Sequence, residues 1–236
     1  MTNAADSALQ LDNVARKFGR RWVLRGVSLE VRAGESVALM GRNGSGKTTL
    51  LRVISTALRP TRGRGSVFGN DLVADADEIR GLIGVLGHHS GLYDDLTAFE
   101  NIQFATRMYG LDTSRSQIES ALEEVGLGHA SRERVRGFSA GMRRRLALAR
   151  LLLRPPRLLL LDEPYAAFDQ HGIDQVNAYV RTIVRGGGAA IIATHDLARA
   201  RGVAERVVRI VDGKIAQDAA TADVLREQAD EEDSVA

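Results

Sequence analysis

The sequence contains no cysteine, which excludes disulfides, thiol catalysis and thiolate metal sites. Aromatic residues make up only 5% of it, with a single tryptophan, and proline occurs four times. No apolar run approaches the roughly 20 residues that a membrane-spanning helix needs. The opening MTNAADSALQ has neither a basic start nor an apolar centre, so it does not read as a secretion signal. Net charge is scarce as well. The 32 basic and 30 acidic residues leave +2, which gives no overall case for a nucleic-acid or acidic-membrane partner. Lysine is nearly absent: of the 32 basic residues only Lys17, Lys47 and Lys214 are lysine, so each one retained is conspicuous. What is present suffices for a packed protein. With 236 residues and 44% hydrophobic content, the chain can form one large domain or a domain with a subdomain.

Strand and helix patterns alternate along the chain. LDNVARKFG and VLRGVSLEVRAGE alternate apolar and polar residues and read as strands joined at Gly19. ESVALM is a short apolar strand ending at Gly41, followed by a helix from about Lys47 to Leu58. GSVFGNDL reads as a strand and turn, and IRGLIGVLGHH as a strand ending near His88. Residues 97–155 are mostly helical, with starts at Thr97, at Ser114 or Ser116, and at Ser139. RLLLLDEP and AAIIATHD are continuous apolar strands, buried on both faces, separated by the helix IDQVNAYVRTIVRGGG. This order predicts one α/β domain: a core at about 9–88 and 156–225, with a mainly parallel sheet and an N-terminal antiparallel β subdomain. A helical subdomain at about 89–155 is inserted in it. Residues 1–8 and the acidic tail 226–236 are expected to be disordered.

GRNGSGKT, residues 41–48, fits the phosphate-loop pattern of a strand, a glycine-rich turn and a helix. Gly41, Arg42, Asn43, Gly44, Ser45, Gly46, Lys47, Thr48 and Thr49 are the expected nucleotide cradle, so the core is expected to be that of a P-loop NTPase. Backbone N–H groups point inward, Lys47 reaches the outer phosphates and the Thr48 hydroxyl faces Mg²⁺. Asp162 and Glu163 leave the sheet where ligands bind in such folds. Asp162 suits Mg²⁺ and Glu163 can polarise an attacking water. An Asp-Glu pair by itself also resembles a helix cap; the upstream phosphate loop favours the functional reading. No lysine sits in the Asn/Thr-Lys-x-Asp motif of guanine readers, which leaves ATP as the expected nucleotide.

With the phosphate loop, FSAGM (138–142), Asp162-Glu163, AAFD (166–169) and ATHD (193–196) in this order, the chain resembles the ATP-binding subunits of ABC transporters over about residues 9–220. The resemblance implies a second ATP-binding subunit, an integral membrane subunit, and a place on the cytoplasmic side of the membrane. It implies that Ser139, Ala140, Gly141 and Met142 act on the partner subunit's ATP, that Asp169 belongs to the D-loop, that His195 is the switch histidine, and that Phe18 stacks on adenine. It also implies that His89 replaces a glutamine that contacts Mg²⁺ and water. Other readings stay open: Ser139 as a plain helix cap, His89 as a strand-end residue, and Arg143, Arg144, Arg145 and Arg150 as a solvated face rather than a nucleic-acid surface.

Two departures stand out. Ala140 and Met142 replace the usual glycine and glutamine of the signature, and Met142 lacks the amide. Within the family, GHHSGLYDDLTAFENI and FSAGMRRRLALARLLL look like the ATP-binding subunit of the haem exporter of cytochrome c biogenesis. A non-transport ABC ATPase acting on a membrane complex, and a nucleotide-binding module without turnover, remain as alternatives.

Overall fold

A computed structural model describes residues 7–87 and 91–226. The chain opens on β1 (Ser7–Phe18), which pairs antiparallel with β2 (Arg21–Arg32). Ser7 and Ala8, expected to be disordered, are buried parts of β1, with Ser7 opposite Arg32. β4 (Arg62–Val67) and β5 (Asn70–Asp71) complete an antiparallel sheet in the order β2-β1-β4-β5.

The second sheet has six strands. β3 (Ser36–Met40), β6 (Ile83–Leu86), β7 (Leu158–Asp162), β8 (Ala189–Ala193), β9 (Arg206–Val211) and β10 (Lys214–Ala220) lie in the order β10-β9-β3-β8-β7-β6. All neighbours are parallel except β9 and β10. This is the mainly parallel α/β core with an antiparallel β subdomain that the sequence predicts. Successive residues of a strand face opposite sides, so β7 serves two cores. Leu159 and Leu161 pack with the helices on one side, and Leu158 and Leu160 pack toward the antiparallel sheet on the other. Each such leucine contributes about 1.5–3 kcal/mol by burial.

Helix α1 (Lys47–Ile54) follows β3 and ends four residues earlier than expected. Thr56 adopts a positive φ of 60°, which stops the helix before Leu58. Helix α2 (Ala76–Leu82), which the sequence pattern did not anticipate, buries only Ile79 and so lacks an apolar period. Among the described residues, three α-helices and two single 3₁₀ turns stand between β6 and β7, the α-helices being α3 (Ala98–Met108), α4 (Arg115–Glu124) and α5 (Ala140–Leu152). Thr97 with Glu100 and Ser114 with Gln117 form complete capping boxes, so the first two helices start where their hydroxyl residues indicate. Buried Asn101 pins the entry to α3: its amide nitrogen donates to the carbonyls of Tyr93, Leu96 and Thr97, and its oxygen accepts from Tyr93 N. α6 (Gln170–Arg185) links β7 to β8, and the short α7 (Leu197–Ala200) follows β8. Residues 221–226 are helical, including Arg226, which was expected to begin the tail.

The β9–β10 hairpin, also unassigned from the pattern, braces the nucleotide cradle. Its turn is Asp212-Gly213, with φ of 46° and 78°, the two positive values a type I′ turn needs. Gly213 N donates to Ser45 O at 3.0 Å and Gly213 O accepts from Arg25 N at 2.8 Å. A Cβ at Gly213 would collide with Val23 O. Gly213→Ala therefore forces a left-handed alanine into occupied space. Its unfolding free energy should fall by about 2 kcal/mol or more, and ATP binding should weaken with it. Urea unfolding with an unchanged slope measures the first; a shift below about 0.5 kcal/mol would mean that the turn relaxes freely.

Candidate nucleotide site

Three neighbouring parallel strands bring the predicted residues together. Leu39 in β3, Ala193 in β8 and Asp162 in β7 stand in one row across the sheet. The ladder continues past the strand ends, with Thr194 N donating to Leu39 O at 3.2 Å and Glu163 N to Ala193 O at 2.8 Å. Gly41, His195 and Glu163 therefore leave the sheet side by side. A cavity of about 290 Å³ opens there, lined among others by Arg42, Gly44, Lys47, Thr48, Asp162 and Glu163.

The phosphate loop is tightly built. A Cβ at Gly41 would lie 2.5 Å from Ile210 O and 2.6 Å from Ser45 Oγ, so only glycine fits beneath the loop. Lys47 is buried, and its Nζ donates to Gly41 O at 2.6 Å. Ser45 Oγ is buried without a hydrogen-bond partner, a donor and acceptor left within the loop. Asp162 is 6% exposed, and with the exposed Thr48 hydroxyl it offers two hard oxygen donors to the same cavity, a set that fits Mg²⁺. Asn43, Gly46 and Thr49 also line it, as expected. Arg21 and Val23 line it too and were missed. They follow the turn after Phe18, and no local pattern marks them.

Glu163 and His195 form a pair, with Glu163 Oε2 3.0 Å from His195 Nδ1. The glutamate side chain is 17% exposed and the histidine 74%, so the carboxylate is sheltered while the ring faces outward. Phe18 sits at the end of β1, outside the cavity lining; the residue is 42% exposed, with the Arg16 guanidinium 4.7 Å from its ring centroid.

None of the signature residues lines the phosphate cavity of their own chain. Ser139 caps α5, its Oγ accepting from Met142 N at 3.2 Å. The cap uses a lone pair and leaves the O–H free to donate. Met142 packs against the core beside the helices, where a glutamine amide would be desolvated. Asp169 caps α6 by accepting from Gly172 N at 2.9 Å and takes two contacts from Arg145. The backbone bond from Gly172 comes first, and with Arg145 it holds the Asp169 carboxyl below the usual range. His89, the expected stand-in for a glutamine, lies outside the described residues.

The arginines of α5 correct the expectation of a solvated face. Arg143 pairs with Asp94, Arg144 donates to Asp162 O and Ala166 O, Arg145 holds Asp169, and Arg150 donates to Gly91 O at 3.3 Å. All four are half-buried, so the charge run is internal scaffolding.

The ABC transporter family profile matches residues 24–166. The daunorubicin resistance ATP-binding protein DrrA3 of Streptomyces coeruleorubidus is 38% identical over 94% of this chain and 71% of its own. The cytochrome c biogenesis ATP-binding export protein CcmA 2 of Cupriavidus metallidurans is 36% identical over 84% and 94%. A dimeric post-hydrolysis ATP-binding cassette bound to ADP and Pi superposes with a TM-score of 0.81 at 27% identity, over 90% of this chain and 98% of that one. A bacterial Atm1-family ABC exporter with ATP bound gives 0.82 at 26% identity over 97% of this chain, which spans 41% of the exporter's longer chain. The protein belongs to the ABC transporter family, as one of its ATP-binding subunits.

Proposed function

We propose that this chain hydrolyses ATP between two copies of itself and thereby drives export through a separate membrane subunit. The observation that carries the reading is the row Leu39, Ala193 and Asp162, beside which Lys47, Asp162 and Glu163 converge on one cavity, with His195 Nδ1 3.0 Å from Glu163 Oε2. Lys47 holds the outer phosphates as a buried point charge. Thr48 and Asp162 would hold Mg²⁺, which when bound supplies charge neutralisation at the phosphates. Glu163 accepts the proton of the attacking water. With hydrogen on Nδ1, His195 donates to Glu163 Oε2 and keeps the other oxygen free for that water.

Lys47→Ala should weaken ATP binding about 10- to 100-fold, the worth of a charge-assisted contact. Glu163→Gln should bind ATP normally and lose turnover by about 100-fold or more, because an amide keeps the shape and takes no proton. Phosphate release and equilibrium nucleotide binding measure the two. Parental turnover in Glu163→Gln would remove it from the mechanism.

The absence of the signature from its own cavity supports a site shared between copies. Lys47→Ala and Ser139→Arg should each be inactive alone. Mixed in equal amounts, they form dimers with one intact site, and hydrolysis should return. If ATP-dependent crosslinking reports mixed dimers and no activity returns, either the shared site or the sufficiency of one site fails. Repeating the mixture with the membrane subunit bound decides which.

No helix among the described residues is long and apolar enough to cross a membrane; the proposed membrane subunit would supply the transport path. Its docking surface is supported by the exposed apolar residues of α3. Phe104 and Met108 are one turn apart, Tyr93 packs edge-on against Phe104, and Tyr109 shares a cavity with Val85. Met108→Glu should abolish co-purification of a multi-helix membrane protein while basal ATPase activity stays within about twofold of the parent. Retained co-purification would move the docking surface elsewhere.

The cargo reading that the sequence favours is haem for cytochrome c biogenesis, supported by the Ser139-Ala140-Gly141 signature and by the relative named for that pathway. A drug-export reading is supported by the daunorubicin-resistance relative. Loss of haem-stained c-type cytochromes on deletion of the gene favours the first. Drug sensitivity with normal cytochromes favours the second.

A further inference from the structure

The stretch from Glu163 to Asp169 carries the proposed base and contains no helix or strand to hold it. Glu163 and Ala167 both adopt left-handed backbone, with φ of 49° and 65°. Each costs a non-glycine residue on the order of 1 kcal/mol or more, so the surroundings must over-determine this loop.

The N-terminal half of α5 does so. Arg144 Nη1 donates to Ala166 O at 2.8 Å, and Nη2 donates to Asp162 O at 3.1 Å. The Asp162 carbonyl belongs to the peptide bond that enters Glu163, so one planar fork spans the bend on which Glu163 sits. Arg144 Nε is buried without a partner, and the head group is committed to these two carbonyls. Burial works against its charge, while the Asp162 and Glu163 carboxylates support it. Arg145 fixes the far end of the loop through both Asp169 oxygens at 2.9 and 3.1 Å. Between them, Gly141 lies against the loop: a Cβ there would stand 2.8 Å from Ala167 O.

We infer that Arg144 is a positioning residue for hydrolysis, its fork to the Asp162 and Ala166 carbonyls holding the strained loop so that Glu163 faces the phosphate cavity. The inference rests on Glu163 acting as the base. Its consequence is a short mechanical link. The helix whose first residues are offered to the partner's nucleotide also holds the base of its own chain, so engagement of one site is felt at the other within a few bonds.

The test uses the full chain. Arg144→Lys keeps the charge and the aliphatic stem but replaces the planar fork by a point donor; Arg144→Ala removes both. In single-turnover hydrolysis at saturating ATP, each should lower the rate about tenfold or more, as small misplacements of a reacting group do. ATP affinity should stay within about twofold. In a Glu163→Gln background, the same substitutions should change the residual rate by less than about twofold, because no base remains to be aimed. Three results would overturn the inference: an unchanged rate, a loss of affinity that matches the loss of rate, or an equal fold-loss with and without Glu163. Parental turnover in Glu163→Gln alone would refute the reading of the base instead, a separate failure. If Arg144→Ala does not fold, Arg144→Lys decides on the same criteria.

Discussion

The site depends on the hydrogen-bonded row near the C-terminal ends of β3, β8 and β7. A parallel sheet buried on both faces must pair every backbone group, because no water is available to do so. Pairing then leaves no freedom in register: Leu39, Ala193 and Asp162 are level, and the next amides, Thr194 N and Glu163 N, extend the ladder by one bond each. A slip of one residue in β7 would turn Leu159 and Leu161 away from the helical layer and carry Asp162 out of the row. The packing that stabilises the fold is thus the same packing that aligns the acidic pair with the phosphate loop.

Around this row the molecule tolerates features that a purely structural protein would avoid. A lysine is buried, a serine hydroxyl is orphaned, and two non-glycine residues sit in left-handed backbone within five positions. Such features concentrate where chemistry is done, and they persist only when neighbours leave no alternative. Here the neighbours are distant in sequence. The β9–β10 turn holds the phosphate loop from below, and arginines of α5 hold the acidic loop from the side.

What was legible in the sequence was local. The phosphate loop, the apolar strand ending in Asp162 and the hydroxyl caps at Thr97, Ser114 and Ser139 each write their geometry into a few consecutive residues. The Asp212-Gly213 turn was equally local and could have revealed the last hairpin. Helix α2 could not, because one buried side chain sets no period. The α5 arginines show the deeper limit. A charge run reads as solvated until the loops that accept its hydrogen bonds are in place, and those loops lie about 20 to 60 residues away. Arg21 and Val23 are invisible for the same reason: proximity to Lys47 is a property of the turn after β1, not of their own residue types.

The separation of the cavity from the signature carries a constraint on assembly. Each chain offers one phosphate cavity and one capped helix start with a free hydroxyl donor, and the two are different surfaces. If each cavity takes its missing donors from another copy, head-to-tail pairing of two chains would complete one site and leave the second cavity and signature exposed, open to a third chain. A two-fold arrangement completes both sites at once and closes the assembly. The arginine fork adds a reason for the two sites to act together. In such a two-fold pair, on the roles proposed for Ser139 and Glu163, the helix that would complete the partner's site is bonded to the loop of its own base, so each site's geometry would be partly set by the nucleotide in the other. Pairing, alignment of the base and communication then follow from where one helix begins.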